Sequence, residues 1–171
     1  MSYNFIKVNN ADGLITITLA KPPLNVLDIP MMEELADAFA WTNQEAGKII
    51  LLNAEGKAFS AGVDVADHTP DKVNKMIEVL DRLFINMYET EKPIVAAING
   101  AALGGAYELA LMCDMVVASE KAKLGQPEIA VGVFPPLAAL MLPRLTSPYQ
   151  AMEIVLGGEV FGAAKAERWD W

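Results

Sequence analysis

Two glycines followed closely by a glutamate, Gly104-Gly105-Ala106-Tyr107-Glu108, are the residues of this chain best spaced to do chemistry. They lie within residues 99–114, NGAALGGAYELALMCD, directly after the apolar run IVAAI at 94–98. As strand, glycine turn and helix, this stretch puts backbone N–H groups without intrahelical partners at a helix start, where the dipole adds to their pull on negative charge. Glycine lets a ligand approach that backbone closely. Glu108 follows within the first helical turn, placed to give or take a proton. A second turn, Lys123-Leu124-Gly125-Gln126-Pro127-Glu128, also ends in a carboxylate. These residues fit an anion-stabilising turn with an acid/base beside it. They equally fit a tight turn followed by a glutamate that merely favours the helix dipole.

The elements that must position them alternate between strand and helix. Residues 5–8 and 14–19 flank Asn9-Asn10-Ala11-Asp12-Gly13, a β-hairpin pattern with Asp-Gly at the turn, and Lys21-Pro22-Pro23 stops the second strand. Helical spacing of Met31, Met32, Leu35, Ala38 and Phe39 follows Pro30. The run KIILLNA at 48–54 predicts a buried parallel strand, and the small-residue loop Gly56-Lys57-Ala58-Phe59-Ser60-Ala61-Gly62-Val63-Asp64 leaves its C-terminal end, where α/β sheets collect ligands. A long helix opens at Pro70-Asp71 with an apolar face of Val73, Met76, Ile77, Leu80, Leu83, Phe84, Met87 and Tyr88, and Lys92-Pro93 ends it. A strand at 115–119, a turn at 123–128, Leu137 to Leu142, a helix over 148–156 and a short segment at 161–168 complete the chain. Three glycine-bearing loops thus follow three strands, which predicts an α/β fold with substantial parallel content. No GxGxxG opens a helix, so a dinucleotide fold is not indicated.

Composition narrows the function further. The 171 residues, 53% hydrophobic and 20% charged, predict one globular domain over 1–171. A net charge of −9 without any basic run argues against nucleic acid as a partner and against anionic membranes. No uncharged stretch is long enough for a membrane helix, and the N-terminus MSYNFIKVNN has no export-signal pattern. The single cysteine, Cys113, falls in a predicted buried helix as a core residue, and excludes an internal disulfide, which suits the cytoplasm. The single histidine, His68, has no partners at metal-ligand spacing, so no metal site is expected.

Four segments in order resemble the crotonase superfamily, the enoyl-CoA hydratase/isomerase family: 19–27 (LAKPPLNVL), 57–64 (KAFSAGVD), 99–114, and 124–135 (LGQPEIAVGVFP). The resemblance covers almost the whole chain. It implies a spiral of ββα units with thioester-binding loops at one end. It places one oxyanion-hole N–H on Val63 and the other on Gly105, and matches Glu108 and Glu128 to the two carboxylates of family hydratases. Ser60, Ala61, Gly62, Val63, Asp64 and Val65, with Leu24, would line the path of CoA and its pantetheine arm, Asp64 mainly shaping its loop; Gly104 flanks the reacting carbonyl. The partner implied is an acyl-CoA thioester, with CoA belonging to the substrate and no separate cofactor.

Two departures from the family pattern carry expectations of their own. Many relatives have Pro-Gly-Ala-Gly-Gly where this chain has Pro135-Pro136-Leu137-Ala138-Ala139, which stiffens the turn and adds bulk near the acyl pocket. With PPLNVLD, FSAGVDVADHT and VGVFPPLAAL, this looks most like hydratases of a cyclic dienoyl thioester from anaerobic aromatic degradation, the benzoyl-CoA pathway. Ala66 stands where some relatives carry a lysine near the CoA phosphates, leaving Lys57 or a neighbouring subunit for that contact. Relatives also run on through helices that cover the acyl pocket and build trimers or hexamers, whereas this sequence stops at Trp169-Asp170-Trp171. The expectation is a fold lacking the usual C-terminal helical trimerisation region, with exposed apolar surface and a tendency to form homo-oligomers.

Overall fold

Asp12 and Gly13 both take positive φ, 53° and 84°, the backbone of a two-residue hairpin turn. Around it β1 (Ile6–Ala11) pairs antiparallel with β2 (Leu14–Leu19), so the hairpin is tighter than the five-residue loop expected from sequence. The computed structural model describes residues 2–169. Beyond the hairpin, β3 (Ile49–Ala54), β4 (Ile94–Ile98) and β6 (Met115–Ala118) add in parallel, giving one sheet of order β1-β2-β3-β4-β6.

Two helices cover one face of that sheet. Asp28 caps α1 (Ile29–Thr42), its carboxylate accepting the Met31 N–H at 3.2 Å, with Pro30 in the first turn. α1 buries Met31, Met32, Leu35, Ala36, Ala38 and Phe39 against α2 (Val73–Tyr88). The core face of α2 is Met76, Val79, Leu80, Leu83, Phe84 and Met87; Ile77 and Tyr88, assigned to it from spacing, point outward and are 47% and 83% exposed. The helix also starts at Val73, two residues later than Pro70-Asp71 predicts, because residues 70–72 close a turn with the Val73 N–H on the Thr69 carbonyl.

A second sheet, of order β5-β7-β8, was not legible in the sequence. It contains β5 (Ala101–Leu103), β7 (Lys123–Gly125) and β8 (Val160–Gly162), where glycine turns and a loop were expected. Three residues are too few for a period to register. Around this sheet lie α3 (Gly105–Leu111), α4 (Pro136–Leu145), α5 (Pro148–Gly157) and α6 (Ala163–Arg168). A capping box of Ser147 and Gln150 fixes the start of α5. Cys113 lies just past α3; its Sγ donates to the Leu109 carbonyl at 3.2 Å, and burial pushes the thiol up to about 12, which makes it an unreactive packing residue.

Trp169 stacks edge-on against Phe161, ring centroids 5.3 Å apart, while Trp171 lies outside the described residues. On α4 and α5, Leu140, Leu145, Tyr149, Met152 and Leu156 are all exposed. Val65, Ile85, Tyr88 and Phe134, elsewhere on the chain, are exposed as well. Among the described residues no helix is long and apolar enough to cross a membrane.

Candidate active site

The site is built on β5, which is held along both edges by segments distant in sequence. On one edge the Ser60 N–H donates to the Ala101 carbonyl (2.9 Å) and the Leu103 N–H to the Ser60 carbonyl (3.2 Å). On the other, β7 runs parallel and the Gly104 N–H donates to the Gly125 carbonyl at 3.0 Å. The loop after β3 is thereby brought to the start of α3, and the turn after β7 to the other side of it.

Residues 60–64 form a turn whose every neighbour of Val63 is already engaged. Ser60 is fully buried, and its Oγ accepts the Gly62 N–H at 3.1 Å. The Leu27 N–H donates to the Gly62 carbonyl (2.9 Å) and the Asp64 N–H to the Leu27 carbonyl (3.0 Å). Both flanking groups turn toward Leu27, so the N–H of Val63 faces the opposite way. Beneath this turn Asn25, wholly buried at φ 49°, donates to the carbonyls of Glu55, Ala58 and Phe59 and accepts the Lys21 N–H. Among the described residues no acceptor takes the N–H of Val63 or of Gly105, the first residue of α3.

Glycine is obligatory where these segments meet. A β-carbon on Gly105 would lie 3.6 Å from the Val63 nitrogen and 2.6 Å from Val63 Cγ2. One on Gly62, at φ 97°, would lie 3.6 Å from the Gly105 nitrogen and only 2.6 Å from the Leu103 carbonyl oxygen. Two unsatisfied N–H groups therefore stand close together where no side chain fits, a geometry suited to an oxyanion.

Two carboxyl groups flank that pair. Glu108, 3% exposed, sits in the first turn of α3, and its Oε1 accepts the Ala138 N–H at 2.9 Å. It thus caps the N-terminus of α4, which Pro135 and Pro136 open. Burial pushes its pKa up to about 7; the Ala138 N–H opposes the rise, the charge of Glu128 adds to it, and the Leu137 N–H opposes it again. Glu128 follows β7 in a short 3-10 turn, Pro127–Val131, with its carboxylate over Gly104, where a β-carbon would meet Oε1 at 2.6 Å. The Gln126 carboxamide, fully buried and oriented with its nitrogen toward Glu128, donates to both carboxylate oxygens at 2.8 Å. Burial also raises the pKa of Glu128; a hydrogen bond from its own backbone N–H opposes the rise, and the charge of His68 opposes it less.

The sequence-predicted residues thus divide into groups. Val63, Gly104, Gly105, Glu108 and Glu128 come together. Leu24 and Asp64 line a separate shallow cavity of about 320 Å³ with Lys21, Pro22, Pro23 and Val26. Asp64 Oδ1 accepts the Ala66 N–H at 2.9 Å and so shapes its own turn. Ala61 and Val65 are exposed, as is Lys57. Pro135 is buried and Pro136 exposed, and they bear on the site through the helix start they impose over Glu108. Sequence reasoning missed Asn25 and Gln126, although both lie inside the quoted segments. A polar residue between Gly125 and Pro127, leading to a carboxylate, was the available signal for Gln126.

Residues 9–170 match the family described as enoyl-CoA hydratase/isomerase. The chain is 37% identical over 156 residues to a probable enoyl-CoA hydratase of Bacillus subtilis, covering 88% of this chain and 60% of that protein. It is 35% identical over 159 residues to the cyclohexa-1,5-dienecarbonyl-CoA hydratase of Thauera aromatica, covering 92% of this chain and 62% of that one. Its fold superposes on the crystal structure of an enoyl-CoA hydratase from Bacillus anthracis with a TM-score of 0.92 at 30% identity, covering 98% of this chain and 68% of that chain. The chain therefore spans about 60% of the length of the two relatives compared by sequence.

Proposed function

Because the chain belongs to the enoyl-CoA hydratase/isomerase family, we propose that it is a hydro-lyase adding water to the double bond of a conjugated CoA thioester. The observation that carries this reading is the pair of free N–H groups, Val63 and Gly105, beside the two carboxyl groups Glu108 and Glu128. Attack on the β-carbon of an enoyl thioester drives negative charge onto the thioester oxygen. Two preorganised donors receive it, each worth roughly 3 kcal/mol in the transition state. Water is a weak nucleophile, so one carboxylate takes its proton while a carboxylic acid delivers one to carbon, the α-carbon of a simple enoyl thioester or the far end of the diene in a dienoyl one. The charge of Glu128 raises the cost of ionising Glu108, and burial raises both, which favours one proton on the pair near neutral pH. CoA arrives with the substrate, and no further cofactor enters these steps.

The acyl group proposed is the ring of cyclohexa-1,5-diene-1-carbonyl-CoA, with 1,4-addition of water giving 6-hydroxycyclohex-1-ene-1-carbonyl-CoA. Supporting it are the stiff Pro135-Pro136-Leu137 start of α4 against Glu108 and the 35% identity to the Thauera enzyme. Product analysis by mass spectrometry, with crotonyl-CoA run alongside, tests both levels. Gain of one water by the dienoyl thioester alone is the expected result. Hydration of crotonyl-CoA alone would keep the reaction and reject the ring. Binding of both without turnover would reject hydration in favour of an acyl-CoA-binding subunit.

The exposed apolar residues of α4 and α5 support a homo-oligomer, a trimer or hexamer as in the family, and the single Cys113, which forms no internal disulfide, suits a cytoplasmic location. Light scattering is expected to give a mass above that of one chain, and Leu156→Lys with Met152→Lys to lower it. A monodisperse monomer would reject self-association.

A further inference from the structure

The Val63 N–H, without an acceptor among the described residues, is flanked by three backbone hydrogen bonds that all run to one short segment, residues 24–27. The Ala61 N–H donates to the Leu24 carbonyl at 3.0 Å, the Leu27 N–H to the Gly62 carbonyl at 2.9 Å, and the Asp64 N–H to the Leu27 carbonyl at 3.0 Å. Leu27 and Val63 thus pair as a parallel bridge. The direction of the Val63 donor is therefore set by where residues 24–27 sit, and these lie in the connection between β2 and α1.

Asn25 fixes that connection. Its backbone N–H donates to the Lys21 carbonyl and its Oδ1 accepts the Lys21 N–H, both at 2.9 Å, which closes the turn 21–25. Its Nδ2 lies 2.9 Å from the Glu55 carbonyl oxygen, 3.0 Å from that of Ala58 and 3.1 Å from that of Phe59. Carbonyls only accept, so the nitrogen faces all three and its two hydrogens are shared among them. One amide thereby ties the turn before α1 to the loop after β3, directly before Ser60 joins that loop to β5. Asn25 is fully buried, so it touches nothing bound at the surface. Its φ of 49° is one that asparagine tolerates better than most residues.

We propose that Asn25 is a positioning residue for the oxyanion donor on Val63: by locking residues 21–25 to residues 55–59 it holds the 24–27 segment, and with it the Val63 N–H, at its spacing from the Gly105 N–H before substrate arrives. The inference rests on the reading that these two N–H groups receive the thioester oxygen. Gly105 is placed by α3, which it opens, whereas Val63 stands in a loop whose placement has to come from outside. Such donors act only if they need not reorganise as charge develops.

Asn25→Asp keeps the shape, the left-handed backbone and the acceptor for Lys21, but sets a second oxygen against the three carbonyls. It is expected to lower kcat about 10²-fold and to change KM by less than about threefold, because a misplaced donor is felt in the transition state. Butyryl-CoA carrying 13C at the thioester carbonyl, a probe without a double bond, separates positioning from loss of stability. Bound to the wild type, its carbonyl stretch should move to lower frequency; at saturation in Asn25→Asp that shift should be at most about half as large. A purely structural role would lower the melting temperature and leave the bound carbonyl shift unchanged, and that result would overturn the proposal. Asn25→Gly, which accepts the same backbone and brings in no charge, carries the same expectations and serves if Asn25→Asp does not fold.

Amide hydrogen exchange reads the lock without any thioester. The Gly62 and Asp64 N–H groups should exchange about tenfold faster in the variant, with Ile50 and Leu52 in β3 unchanged. Equal exchange at Gly62 and Asp64 would also overturn the proposal. If exchange accelerates but the wild type leaves the carbonyl stretch unshifted, the lock on the turn stands and the oxyanion reading fails.

Discussion

Glu108→Gln should abolish turnover and, at pH 8, make the protein more stable. Loss of a positioned acid/base group lowers kcat by about 10²–10⁴-fold, while binding of a CoA thioester should persist because the Val63 and Gly105 donors are untouched. The stability gain follows from linkage. The Glu108 carboxyl has its pKa raised from 4.5 to about 7 in the folded protein. Below its unfolded value it is protonated in both states and its burial costs no charge. Between the two values the folded state keeps a proton the unfolded chain has released, so stability falls as pH rises, and the loss is complete above the folded value. The total is on the order of 3 kcal/mol. Glutamine carries no charge at any pH, so wild type and variant should melt together near pH 4 and diverge by pH 8, the variant higher. Equal melting at both pH values would mean that Glu108 carries no buried charge. The same ionisation sets the alkaline side of the wild-type rate profile: activity should decline above about pH 7 as the pair loses its shared proton.

Gly105→Ala should cost about 10²-fold in kcat through geometry alone. The new β-carbon would lie 2.6 Å from Val63 Cγ2. Valine is branched at its own β-carbon and has little rotamer freedom to yield, so the two donor-bearing segments must part. The prediction has a built-in rescue. Val63→Ala removes the obstructing methyl while keeping the Val63-position N–H, and the double variant should recover most of the rate. A double variant as slow as the single one would mean that the separation of these two N–H groups does not govern the reaction.

These results bear on what a sequence can disclose. Elements with many periodic residues, α1, α2 and the strands of the five-stranded sheet, announce themselves, because burial of one face repeats along them. The Gly105–Glu108 pair was equally legible, being contiguous. What escaped was whatever depends on the register of three-residue strands. Nothing local in Ala101-Ala102-Leu103 says that it will be sandwiched between Ser60 and β7. Yet that placement alone decides that Glu128 lies over Gly104 and that Gln126 faces its carboxylate.

The dependence of β5 on two remote edges also bears on how the protein is made. A strand that short gains almost nothing from its own neighbourhood and becomes worthwhile only after two long loops have closed on it, each at an entropic cost. The β1–β2 hairpin forms from nearer contacts than either edge of β5, so the candidate site is assembled after it. The candidate site is therefore incomplete until Glu128 and the start of α4 have been synthesised and docked, and opening of this seam takes it apart.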